Sequence, residues 1–304
     1  MKIAISGSHG LIGSALAKQL AATGHTTAQI VRTAPGEPPV DEGKIGWNPE
    51  SGLLRPAQLN DFDAVVHLAG RSIASARWTD EEKKRIRDSR VLPTQVLSEQ
   101  IASLDSPPRV IVSASATGFY GDCGTTLVDE ATSQGTDFLA RVAGDWERAC
   151  EPLRQAGLRV VNPRLGIVLD HAGGALAKML PIFRLGLGGR LGNGHQYWSW
   201  IGLPDCVSAL CWLLENEQAH GAYNLTAPNP VTNGIFTQLL ADTLKRPAVV
   251  PAPKFALRMA LGEMADALLL SSCRALPTRL TEQEFQFQHS DLADCLTAIL
   301  APSQ

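Results

Sequence analysis

Gly7, Gly10 and Gly13 fall at equal intervals in the opening stretch MKIAISGSHGLIG, in a G-x-x-G-x-x-G pattern. Glycines spaced in this way let a chain turn sharply and let a pyrophosphate approach the backbone. A helix starting behind them turns free N–H groups and the positive end of its dipole towards the phosphates. This is the pattern of a dinucleotide site when a strand precedes it and a helix follows; a tight strand-to-helix turn without ligand is the plainer alternative. Arg32 stands where an Asp or Glu would bond the ribose 2′-OH of NAD. A forked guanidinium there suits a 2′-phosphate and so NADP(H), unless it is a solvated surface arginine. Ser115, Thr117 and Tyr120 form a second group, in SASATGFYGD. At the carboxyl end of a central strand their hydroxyls would face a substrate carbonyl or hydroxyl, although Ser and Thr also favour turns for their own sake.

The flanking pattern supplies elements to hold these residues. Lys2 to Ser6 is an apolar run of strand length, and Leu11, Ile12, Ala15, Leu16 and Leu20 then recur at helical intervals up to Gly24, a suitable C-terminal cap. Thr27–Arg32, Lys44–Trp47, Asp63–Gly70 and Leu158–Arg164 read as further strands, another opens the stretch Arg109–Gly121 and ends in its hydroxyl and small residues, and Pro35 to Gly43 reads as loop. Leu68, Ala69 and Gly70 end one of them in small residues that allow close approach of a cofactor. Trp47 is a weak candidate to flank an adenine. His67 lies inside an apolar strand buried on both faces, where a packed histidine fits better than a catalytic one. Thr79 to Glu82 forms a capping box that opens a charged, largely solvated helix. Arg90 near its end is in reach of the cofactor, and Pro93 predicts a kink or break. Thr136 to Gln155 reads as one amphipathic helix closed by Gly157. Beyond Leu165 the βα rhythm loosens into the glycine loop Gly186 to Gly194 and the aromatic Tyr197, Trp198 and Trp200. That stretch is either a mobile lid or a rigid crossover with core tryptophans. Helices from Pro204, Asn233, Arg258 and Asp291, and a strand Gly221–Leu225 returning to the sheet, complete the chain.

These elements predict an α/β fold, a Rossmann-type doubly wound parallel sheet with a smaller C-terminal substrate lobe. The expected divisions are 1–164 for the dinucleotide domain, 165–245 for lobe elements and 246–304 for a helical C-terminal domain. A chain of 304 residues with net charge −3 offers no basic surface for nucleic acid or membranes. It contains no apolar run of about 18 residues. An opening strand leaves no room for a signal peptide, which predicts a cytoplasmic protein, monomer or homodimer, acting on a small molecule. Six scattered cysteines without C-x-x-C read as free thiols in a reducing compartment, not as a zinc site or disulfide frame.

GSHGLIG (Gly7–Gly13), HLAG (His67–Gly70), RWTDEEK (Arg77–Lys83) and SATGFYGD (Ser115–Asp122) together resemble the extended short-chain dehydrogenase/reductase superfamily. With MLPIFRLGLGGRLGNGHQYWSWI (Met179–Ile201) and RALPTRL (Arg274–Leu280), the chain is similar to its atypical "epimerase family" proteins, which carry a C-terminal domain of unknown function. The resemblance implies an NADP(H) site with contacts at Gly7, Ser8, Gly10, Leu11, Ile12, Arg32, Leu68, Ala69, Arg90 and Val168. Extended reductases move a proton with a Tyr-x-x-x-Lys pair on the helix after the Ser/Thr strand. Those positions fall near Leu139 and Ala143, neither of which transfers a proton. A histidine frequent after Trp-Ile in the family is here Gly202. Ser115, Thr117, Tyr120 and Arg141 are left as catalytic candidates. Two functions stay open: an NADP(H)-dependent oxidoreductase or epimerase with an unusual acid/base set, and an NADPH-binding sensor or regulator without turnover.

Overall fold

The computed structural model of the protein describes residues 1–33, 43–53 and 55–301. The loop expected from Pro35 lies outside these residues except for Gly43. The strands are β1 (Lys2–Ser6), β2 (Thr26–Arg32), β3 (Lys44–Asn48), β4 (Gly52–Leu53), β5 (Ala64–His67), β6 (Val110–Ser113), β7 (Ser115–Ala116), β8 (Leu127–Val128) and β9 (Arg159–Leu165). They continue with β10 (Ile167–Leu169), β11 (Tyr197–Trp198), β12 (Trp200–Gly202), β13 (Gly221–Leu225), β14 (Val231–Thr232) and β15 (Arg274–Ala275). The helices that matter below are α1 (Leu11–Ala22), α2 (Asp80–Ala102), α3 (Phe138–Arg148), α4 (Glu151–Gln155), α5 (Gly174–Arg184), α6 (Leu203–Glu215), α7 (Asn233–Leu244) and α8 (Lys254–Leu261).

The main sheet runs β13-β9-β6-β5-β1-β2-β3-β4, with β7 also paired to β9, and every pairing is parallel except β3 with β4. Alternation along each strand explains why both faces are covered. Ile3, Ile5, Ala64, Val66, Val110 and Val112 point to one side, where they meet Leu16 and Leu20 of α1 and Leu210 and Leu213 of α6. Ala4, Val65 and Ile111 point to the other, against Leu97 and Ile101 of α2 and Leu153 of α4. A parallel sheet buried in this way needs the near-continuous apolar runs seen in β1, β5 and β6. The order reverses at β1, which has β2 on one side and β5 on the other. The crevice beyond the carboxyl ends of β1 and β5 is therefore the switch point where such sheets hold ligands.

Local chemistry sets the helix ends. Gly24, at φ +83°, closes α1: His25 N–H donates to Leu20 O and Gly24 N–H to Ala21 O. Thr79 caps α2 by accepting from Glu82 N–H. The break expected at Pro93 does not occur, since α2 continues to Ala102. The proline forfeits one backbone bond, to the carbonyl of Ser89, and Pro93, Thr94 and Leu97 are all buried against neighbours. The helix expected from Thr136 to Gln155 is two helices, α3 capped by Asp137 and α4, which has Pro152 in its first turn. A proline there supplies no N–H to carry α3 onward. The cap of α7 is Thr232, one residue before Asn233, whose side chain instead accepts from Leu191 N–H.

A separate apolar core fills the C-terminal lobe. Leu176, Leu180 and Phe183 of α5, Phe236 and Leu240 of α7, and Leu292 and Leu296 of a final helix surround Trp198 and Trp200. The glycine loop before them is bonded to the segment preceding α8: Val250 N–H donates to Gly188 O, Gly192 N–H to Ala252 O and Ala252 N–H to Arg190 O. Gly262, at φ +64°, ends α8, and β15 pairs with β8.

Candidate functional site

The loops after β1 and β5 touch at the switch point. Gly7 has φ +71°, and a Cβ there would lie 2.9 Å from the carbonyl carbon of Leu68. A Cβ on Gly13 would sit 2.3 Å from Gly7 O, so α1 can start this close to the turn only without a side chain. No side chain caps α1, and its first turn holds no acidic residue. Its first N–H groups therefore remain available to an anion. Ser8 is buried in the turn, and its Oγ has no hydrogen-bond partner among the described residues. Before this turn opens a cleft of about 1070 Å³ whose lining includes Gly7, Gly10, Arg32, Trp47, Leu68, Ala69 and Gly70.

The charges of the cleft are unevenly satisfied. Arg71 is paired with Glu82 at 2.7 Å, Lys84 with Asp88 at 2.6 Å and Arg85 with Glu81 at 2.5 Å. Arg32, exposed at the carboxyl end of β2, has no ion-pair or hydrogen-bond partner among the described residues. Arg90 packs against Gly70 beneath the cleft; a Cβ on Gly70 would be 3.5 Å from its guanidinium carbon. Its N–H groups go to the carbonyls of Ile86 and Arg71 and to Ser89 Oγ, and its plane lies over Trp146. Burial without a carboxylate lowers its pKa to about 10. An uncapped helix start, an orphaned hydroxyl and two cations without counter-ions fit a phosphorylated dinucleotide.

The remaining cofactor candidates lie around the same turn. Leu11 and Val168 meet at Gly174, where a Cβ would lie 3.5 Å from the Leu11 side chain and 3.1 Å from Val168 O. Ile12 packs its side chain onto the core beneath α1. His9, Pro49, Glu50 and the α2 residues Lys84, Arg85, Asp88, Ser89, Leu92 and Pro93 also line the cleft. None of these was singled out for the site by sequence. The one legible signal was helical spacing, since 84, 88 and 92 share a face. That this face looks into the cleft is set by the packing of α2.

The catalytic candidates are committed to structural bonds. Tyr120 is buried; its hydroxyl donates to Asn224 Oδ1 at 2.7 Å and accepts from Arg164 Nη1 at 2.9 Å. Burial raises its pKa well above the ordinary phenol value. Ser115 is buried and donates to Glu147 Oε1 at 2.7 Å, while Glu147 also holds Arg164 through Nε and Nη2. Thr117 Oγ1 donates to Leu165 O at 3.3 Å. Arg141 lies exposed, bonded to Thr136 O, and is not among the cleft-lining residues. So Tyr120 and Ser115 serve a buried network with Arg164, Asn224 and Glu147, Thr117 is half-buried on the Leu165 carbonyl, and none of the three is among the residues lining the cleft. Leu139 packs with Trp78, Phe138, Ile73 and Leu268 in an apolar cluster. A side chain at Gly202 would meet Cys295 Sγ at 2.9 Å, so no histidine fits there. His67 bonds Ser6 Oγ through Nδ1 at 2.7 Å, and burial lowers its pKa to about 4, as a packed neutral histidine requires. Trp47 sits edge-on to it, mostly in the core.

Comparison with known proteins agrees with this geometry. The crystal structure of human epimerase family protein SDR39U1 with NADPH superposes with a TM-score of 0.87, at 31% identity over 98% of this chain and 99% of that one. An epimerase family protein of Mycobacterium bovis is 46% identical over 97% of this chain and 96% of its own. A chloroplastic SDR39U1 homolog of Arabidopsis thaliana is 37% identical over 99% of this chain and 87% of its own. Residues 252–299 match a domain of unknown function. Residues 3–226 match the NAD dependent epimerase/dehydratase family, and with its switch-point cleft and glycine turn the chain belongs to that family.

Proposed function

We propose that the protein binds NADP(H), with Arg32 on the 2′-phosphate, and works as an oxidoreductase or epimerase-like enzyme whose proton transfer does not use a tyrosine–lysine pair. The observation that carries the cofactor choice is Arg32 itself, a cleft cation at the end of β2 with no partner among the described residues. The human relative bound to NADPH supports the same choice. A phosphate–guanidinium contact contributes roughly 1.5–3 kcal/mol. NADPH should therefore bind at least tenfold more tightly than NADH, and Arg32→Ala should abolish most of that difference. Equal titration curves for the two cofactors with the unaltered protein would overturn the reading.

A second reading, an NADPH-binding regulator without turnover, is favoured by the commitment of Tyr120 and Ser115 to Arg164, Asn224 and Glu147. A screen of NADPH oxidation against carbonyl compounds and nucleotide sugars separates the two. The six unpaired thiols support a reducing, cytoplasmic location for either. Among the described residues no helix is long and apolar enough to cross a membrane.

A further inference from the structure

Two of the thiols are neighbours across the junction between the sheet domain and the C-terminal segment. Cys123 lies in the turn after Tyr120, and its N–H donates to Ser272 O at 2.7 Å. That bond sets it beside Cys273, the residue that follows Ser272. Both pack on a small cluster of Tyr120, Val128 and Ala275. Cys273 Sγ also reaches Thr117 O at 3.6 Å, and Cys123 Sγ reaches Tyr120 O at 3.5 Å. Thus each thiol touches the turn that carries Thr117 and Tyr120. Both are only partly buried, and neither is among the residues lining the cofactor cleft.

We propose that Cys123 and Cys273 form a redox-active dithiol that low-molecular-weight disulfides oxidise to an internal disulfide, stapling the Thr117–Cys123 turn to the segment leading into β15. The neighbouring Cys273 thiol holds the Cys123 thiol below its usual range, while the same neighbour and burial push Cys273 up, which makes Cys123 the attacking group. Its thiolate attacks one sulfur of the small disulfide, breaking that S–S bond and releasing one small thiolate, which takes up a proton. Cys273 then gives its proton to solvent and attacks the Cys123 sulfur, and the second small thiolate leaves and is protonated. The protein pair loses two electrons and two hydrogens, and the small disulfide is reduced to two thiols. The four other cysteines have no such neighbour: Cys150, Cys206 and Cys295 are buried, and burial raises the Cys211 thiol to about 11.

The test treats the reduced, full-length protein with oxidised glutathione, alkylates it without reduction and maps the peptides by mass spectrometry. The expected product is a single crosslink between the peptides of Cys123 and Cys273, reversed by dithiothreitol. It should melt about 5–10 °C above the reduced form. Cys273→Ser should stop at glutathione on Cys123, and Cys123→Ser should leave Cys273 unmodified. Unaltered protein that stops at glutathione on Cys123, or whose two thiols both stay unreacted, would overturn the proposal. So would an oxidised form that melts at or below the reduced one.

Discussion

At the scale of single residues, burial decides what each polar group can do. Tyr120 and Ser115 have the right chemistry for an active site, yet their hydroxyls already serve Arg164, Asn224 and Glu147. Tyr120→Phe leaves buried partners of that hydroxyl unsatisfied, which costs about 1–3 kcal/mol. The expected result is a lower urea midpoint with unchanged NADPH affinity; a weakened NADPH titration at unaltered stability would return Tyr120 to the cleft. His67 makes a sharper prediction. Its pKa is about 4 when folded, against 6.5 as the reference value. Between these values the unfolded chain binds the extra proton, so stability rises with pH there and is fully present above pH 6.5. Lowering pH from 7 to 5 should remove about 2 kcal/mol through this residue. Denaturant melts at the two pH values, compared with those of His67→Gln, measure it. An identical pH response in that variant would refute the assignment.

At the scale of elements, the glycine turn works through distance. Gly13 lies under Gly7 O, and an added Cβ at 2.3 Å would force α1 away from β1. Gly13→Ala should cost about 1–3 kcal/mol of stability and weaken NADPH binding at least tenfold, because the helix start withdraws from the phosphates. Gly24 is the control. It has φ +83° but nothing within 4 Å of a Cβ, at the far end of the same helix. Gly24→Ala should cost roughly 1–2 kcal/mol through backbone strain alone and leave NADPH affinity unchanged. Equal losses of affinity in the two variants would show that general destabilisation, not the position of α1, governs binding.

At the scale of the whole molecule, an apolar core around Trp198 and Trp200 stands apart from the cores of the main sheet, whose switch-point cleft is lined by residues between 7 and 93. The bonding of the glycine loop Gly186 to Gly194 favours a rigid crossover over a lid. Three backbone bonds tie its residues 188–192 to residues 250–252, and Trp198 and Trp200 behind it are interior. Hydrogen exchange of the three donating amides, Gly192, Val250 and Ala252, should show strong protection without ligand, unchanged by NADPH. Protection that appears only when NADPH or a substrate is added would restore the lid.

The sequence alone settled what depends on short range. Strand β1, the glycine turn and α1 were legible because a short run with Ile3, Ala4 and Ile5 at its centre, three spaced glycines and a helical repeat each act on near neighbours. The cap at Thr79, though not the returning Glu82 bond of a full capping box, and the parallel architecture followed in the same way, and so did the place of Arg32 at the end of β2. Short-range reading ran out where a local rule met a distant partner. At Pro93, where a kink or a break was read, α2 continues to Ala102, because the packing of Leu97 and Ile101 on the sheet outweighs one lost backbone bond. Tyr120 was assigned to the cleft because the hydroxyl-rich turn could be read but Arg164, 44 residues away, and Asn224, 104 away, could not. The polar face of α2 was taken for solvated surface, since helical spacing shows which residues share a face and not what that face meets. The tryptophans were left open between lid and core for the same reason. Those outcomes belong to the tertiary structure, where contacts between residues far apart in the chain decide which polar groups stay free to meet a ligand.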